Sequence, residues 1–143
     1  MRLDTTRAPA AAVLAACALA CASPQQKLAR SVEDAASWAA SARLVAAAWA
    51  ANKVPTAYAK SALESARGRL QRQRESLMNS VRELPAEHVA TAVGLISRAE
   101  SAVENMESAV ARRDRPRLIH EYEPLPELER RLRALLQAAR GSS

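Results

Sequence analysis

Apolar residues recur along this chain in alternating steps of four and three, the period of a helix that buries one face. The first such stripe runs from Leu28 through Val32, Ala35, Ala39, Ala42 and Ala46 to Trp49. Ser23-Pro24-Gln25-Gln26 marks its start: Ser caps the first turn, Pro takes the first helical position, and Gln three residues after Ser closes a capping box. Val54-Pro55-Thr56 ends the helix at about Asn52, because the residue before a proline is pushed out of the helical region; Thr56 is expected to cap the next helix. That second helix, from about Ala57 to Glu83, carries Leu63, Leu70, Leu77 and Leu84 in heptad spacing, with Ala59, Ala66, Gln73 and Ser80 between them. Pro85 breaks it. The third, from about Ala86 to Arg113, repeats the seam with Val89, Ile96, Val103 and Val110, and with Ala92, Ala99 and Met106 between. Asp114 to Pro126 holds three prolines and reads as irregular, with at most a turn of helix over Arg117 to Tyr122. A fourth helix, Pro126 to about Arg140, turns Leu128, Leu132, Leu135 and Ala139 inward, with Glu127–Arg131 and Glu129–Arg133 as spacing-of-four pairs on its wet side.

The second and third helices can be matched against each other. In an antiparallel hairpin their flanking positions would bring Arg67 to Glu107, Arg74 to Glu100 and Val81 to Val93, and the residue numbers of each pair sum to one value, as a single register requires. The fold expected is therefore all-α, an antiparallel up-down bundle of about four helices, with three helices and a packed C-terminal helix as the alternative.

Composition sharpens this picture. About a quarter of the positions are Ala, there is no Phe, and aromatic residues make up 3% of the chain, so the core must be thin and its helices closely spaced. With 143 residues there is room for one domain of ordinary size, assigned here to residues 23–143.

Residues 1–22 read differently. A short start containing Arg2 and Arg7, an apolar run broken only by Pro9, and small residues through Ala22 form a secretory signal, too short to span a bilayer. Leu14-Ala15-Ala16-Cys17 resembles the lipobox of bacterial lipoproteins, and the resemblance implies acylation of Cys17, with Cys21 as the alternative. Arg7 close to the box and Asp4 in the basic start depart from that family's pattern. Ala18 or Ala22 after the lipidated cysteine implies the periplasmic face of the outer membrane. Cleavage after Ala20 or Ala22 without acylation would leave a periplasmic or secreted protein. Beyond Cys17 and Cys21 the chain has no cysteine, so the domain holds no disulfide of its own.

Candidate chemistry is sparse. Arg67, Arg69, Arg72 and Arg74 fall on opposite sides of their helix and have no interleaved aromatics, which argues against nucleic acid. Loss of Arg2, Arg7 and Asp4 with the export segment takes the formal charge from +6 to +5, an excess suited to anionic headgroups or an acidic partner. His88 and His120 are the only histidines; His120 could in principle join Met78 or Met106 as a haem pair, and there is no Cys-x-x-Cys-His. No cofactor is assigned. Glu100, Glu104 and Glu107 share a helical face as an acidic flank for the arginines. The stretch Arg43 to Lys53 is similar in spacing to the first helix of secreted chorismate mutases, but the acidic and arginine motif of that family's following helix is missing. Trp38 and Trp49 read as core anchors, with a groove rimmed by Trp49 and Tyr58 as the functional alternative. The function expected is a non-enzymatic envelope lipoprotein, a tethered helical binding or scaffolding module that meets the membrane through its lipid and engages an envelope protein or a second copy of itself. A small helical enzyme or a haem or ligand binder is the alternative.

Overall fold

In the computed structural model, which describes residues 23–141, α1 (Pro24–Ala50) begins at the capping box read from the sequence. The Ser23 hydroxyl accepts from the Gln26 backbone N–H at 3.2 Å, while the Gln26 side chain accepts from the Ser23 N–H at 3.1 Å. α2 (Thr56–Asn79), α3 (Ala86–Ala111), a short α4 (Arg115–Tyr122) and α5 (Leu125–Gly141) complete the element order, and no strand occurs among the described residues. Residues 1–22, expected to direct export and holding Cys17 and Cys21, lie outside the described residues.

α2 and α5 each pack against α1, and the same two helices pack against α3, so the four long helices form a closed square; α1 and α3 also approach across its diagonal. Ion pairs give the directions. Arg67 and Arg74 of α2 meet Glu107 and Glu100 of α3, and Glu33 and Arg43 of α1 meet Arg140 and Glu129 of α5, each set running antiparallel. The molecule is an all-α up-down bundle, with α4 laid against α3 and α1.

One contiguous core fills the square. Ala35, Ala39, Ala42 and Ala46 of α1 are fully buried, and Leu63, Leu70, Ile96, Met106 and Leu132 supply the bulk that alanine does not. The heptad seams of α2 and α3 are thus buried within the chain. α3 also buries Leu95, Ala102 and Ala109, because it faces α4 and α5 as well as α2.

Several boundaries differ from those expected of the sequence. α2 stops at Asn79, where the Ser80 backbone N–H bonds to the Leu77 carbonyl at 3.0 Å and closes the last turn, and the Ser80 hydroxyl bonds back to the Ser76 carbonyl at 3.0 Å. Val81 then sits exposed in the turn, so its predicted meeting with Val93 does not extend the hairpin seam. Thr56 is the first residue of α2 rather than its cap; Pro55 holds the cap position and has no side chain that can accept. The stretch expected to be irregular is helical, because Pro116, Pro124 and Pro126 all fall at helix starts, where a missing N–H costs nothing. In α5 it is Leu136 that is buried, with Leu135 only partly so.

Candidate functional site

Leu125, Glu129, Leu132 and Leu136 lie on one face of α5, so Glu129 occupies a core position. Its predicted partner Arg133 is exposed, and the carboxylate instead receives Arg43 of α1, Nε to Oε1 at 2.8 Å and Nη2 to Oε2 at 3.4 Å. This two-point contact satisfies an acid that is only 5% exposed. The hydrogen bond to Glu129 pushes the Arg43 guanidinium above its ordinary pKa. A charged residue at core spacing is the signal that would have marked Glu129 in the sequence, because such a position demands a cation from a neighbouring helix.

The predicted hairpin residues meet on the outer flank of α2 and α3. Arg67 Nε donates to Glu107 and Arg74 Nε to Glu100, both at 2.9 Å, and the Glu107 contact raises the Arg67 pKa. Glu104 between them is exposed. Arg69 projects from the other side of α2 and lies over the Trp38 ring, 5.5 Å from its centroid. On α5, Glu127 takes Arg131 at 2.9 Å, as the spacing predicts, and also Arg130.

Trp49 and Tyr58, the expected rim of a groove, differ in exposure. Trp49 is 5% exposed, with its indole N–H donated to Thr56 Oγ1 at 3.1 Å, whereas Tyr58 is 57% exposed. Trp49 does line a cavity, in company with Asn52, Thr56, Arg113, Arg115 and Pro116. Two helix ends shape this pole. Asn52 succeeds α1 with φ 58° and Arg113 succeeds α3 with φ 57°, and each closes its helix with the paired backbone bonds of a Schellman turn: Asn52 N–H to Trp49 and Lys53 N–H to Ala48, Arg113 N–H to Val110 and Asp114 N–H to Ala109. The Arg115 guanidinium donates to Asn52 Oδ1 and stacks on Trp49, 5.6 Å from the ring centroid. Nothing in the sequence periodicity signals this arrangement, since its residues come from four separate helix ends.

The remaining candidates stay apart. Met106 is buried in the core while the His120 side chain is 81% exposed beside Glu123, and Met78 is exposed as well. No cluster of three or more His, Cys, Asp or Glu with metal-binding geometry occurs among the described residues. Arg43 is tied to Glu129, and Lys53 lies exposed beyond the end of α1. A mainly apolar groove of about 560 Å³ runs along the seam between α3 and α5, floored by Ser101, Ala102 and Leu128 and edged by Arg98 and Arg131.

Comparison with protein-family models, with curated proteins and with solved structures gives no match to this chain. What the fold and these contacts define is an all-α bundle whose long helices are tied across their faces by arginine–carboxylate pairs.

Proposed function

We propose that the protein is exported, tethered through a lipid on Cys17 or on Cys21, and acts in the cell envelope as a binding or spacing module. The observation that supports this reading is the closeness of the bundle to its export segment. Helix α1 is capped at Ser23, two residues after Cys21 and six after Cys17, so an acylated cysteine would leave only a short connection between membrane and bundle. With 27 residues at about 1.5 Å each, α1 spans roughly 40 Å and would hold the Arg113 and Arg115 pole well away from the lipid. A short connection of this kind suits a spacer or a docking module better than a freely diffusing catalyst. None of the described helices is long and apolar enough to cross a membrane, so attachment by the described residues alone is not what the reading invokes.

Intact mass spectrometry of the protein taken from the membrane fraction tests it. A mature chain beginning at Cys17 or Cys21 and carrying acyl mass is the expected result. An unmodified chain beginning at Cys21 or Ser23 would overturn the tether and make this a secreted bundle.

A further inference from the structure

The cavity at the Arg113 and Arg115 pole has a volume of about 480 Å³, and no carboxylate among the described residues lines it. Arg115 is fixed there by two uncharged groups, the Asn52 carbonyl and the Trp49 ring, so its orientation is set while its charge is left without an acid. Arg113 is exposed on the same wall and forms no ion pair among the described residues. Asp114 lies between the two in sequence, but its Oδ1 accepts from the Arg117 backbone N–H at 3.1 Å, which turns it to capping α4. Lys53 and Arg112, next to the lining residues in the chain, are exposed and also without an ion pair among the described residues. Along the sides of the bundle Arg43, Arg67, Arg74 and Arg131 each hold a carboxylate, whereas Arg30, Arg69, Arg72, Arg98 and Arg133 are exposed and make no ion pair among the described residues. What sets the pole apart is that two unpaired guanidiniums, those of Arg113 and Arg115, share the wall of one hollow.

From this arrangement we infer that the cavity binds a phosphate group, either as the free ion or displayed on a lipid headgroup. Guanidinium groups offer paired N–H donors that match tetrahedral oxyanions, and a stacked guanidinium is already oriented for the task. The Thr56 hydroxyl, whose oxygen accepts from Trp49, can give its own hydrogen to an anion in the hollow. The inference stands on this cavity alone and does not need the lipid tether; in a tethered chain, a headgroup that reaches this pole belongs to a facing membrane and not to the one that holds the lipid.

Trp49 in the wall is the natural reporter. A Trp38→Phe background leaves it as the one tryptophan, since the chain has two. The full chain would be titrated with inorganic phosphate against chloride at matched ionic strength, monitoring Trp49 fluorescence. A saturable change with phosphate only is expected, weakened about tenfold or more by Arg113→Gly and by Arg113→Gln, as loss of one charged hydrogen bond implies, and unaffected by Arg72→Gln. Melting temperatures of all variants separate lost binding from lost folding. The soluble phosphodiester glycerophosphoglycerol forms the second arm: binding at least as tight as inorganic phosphate indicates a headgroup, and the reverse order indicates the free ion. An equal response to chloride, or full phosphate affinity in both Arg113 variants, would overturn the site and leave these arginines as partners of the negative end of the α3 dipole.

Discussion

Arg43 of α1 reaches Glu129 of α5 at a core position, Nε to Oε1 at 2.8 Å, and the two partners do not share burial equally: the side chain of Arg43 is 33% exposed and that of Glu129 is 6% exposed. The asymmetry sets what each deletion should do. Arg43→Ala strands a buried carboxylate and should cost about 2–3 kcal/mol, whereas Glu129→Ala frees an arginine that can turn to water and should cost only about 1 kcal/mol. Replacing the pair together, as Arg43→Met with Glu129→Leu, should recover most of the loss, because a packed apolar pair has no desolvation penalty. Urea unfolding of the four proteins checks the ordering. Equal costs for the two single variants would mean that Glu129 reaches water.

Arg74 and Glu100 join the α2–α3 hairpin on its outer flank, with their side chains 28% and 20% exposed. Arg74→Glu should destabilise the bundle by about 1 kcal/mol, and adding Glu100→Arg should restore part of that. A double-mutant cycle by denaturant unfolding measures the coupling. Simple additivity would mean that the pair contributes nothing to the choice of register.

How far the fold was legible depends on where each signal resides. α1 could be read to within two residues because a capping box, a first-turn proline and a small-residue stripe all agree, and α3 because its heptads run unbroken from Val89 to Val110. The hairpin register could be read because arginines on α2 recur at the same spacing as glutamates on α3. What could not be read depended on rotation or on assembly. Leu135 and Leu136 are both apolar, so only packing against α1 and α3 decides which turns inward, and the same rotation carries Glu129 from the wet side to the core. The prolines from 116 to 126 argued against helix because a proline reads as a breaker until it is known to sit in a first turn. Arg115 sits over Trp49 only once α3 and α1 end side by side, a fact no local pattern contains.

Arg113 adopts φ 57° at the end of α3, a conformation that a side chain with a Cβ tolerates poorly and glycine adopts freely. Its side chain makes no ion pair among the described residues, so little is lost in removing it. Arg113→Gly should therefore raise stability by about 0.5–1 kcal/mol. Thermal unfolding of the variant beside Arg113→Ala, which keeps the strain, isolates the backbone contribution. A lower melting temperature for the glycine variant would show that the arginine makes contacts that outweigh the strain.

Glu127 carries the pH prediction. The hydrogen bond from Arg131, with the charges of Arg130 and Arg131 beside it, holds its carboxyl below the ordinary value of 4.5. A carboxylate whose pKa is depressed by folding binds its proton more readily in the unfolded chain, so it stabilises the fold at pH above that ordinary value. The contribution fades as pH falls through the depressed value, where the folded form is protonated too. Glu127→Gln removes this one step and leaves the other carboxylates in place. The difference in stability between parent and variant should hold constant from neutral pH down to about 5 and shrink below about 4.5. Denaturant unfolding at intervals from pH 7 to pH 3 tracks it, and added salt should reduce the difference at neutral pH, since the Glu127 and Arg131 side chains are 43% and 55% exposed. A difference that stays flat through the acid range would mean that Arg131 does not hold Glu127 in solution.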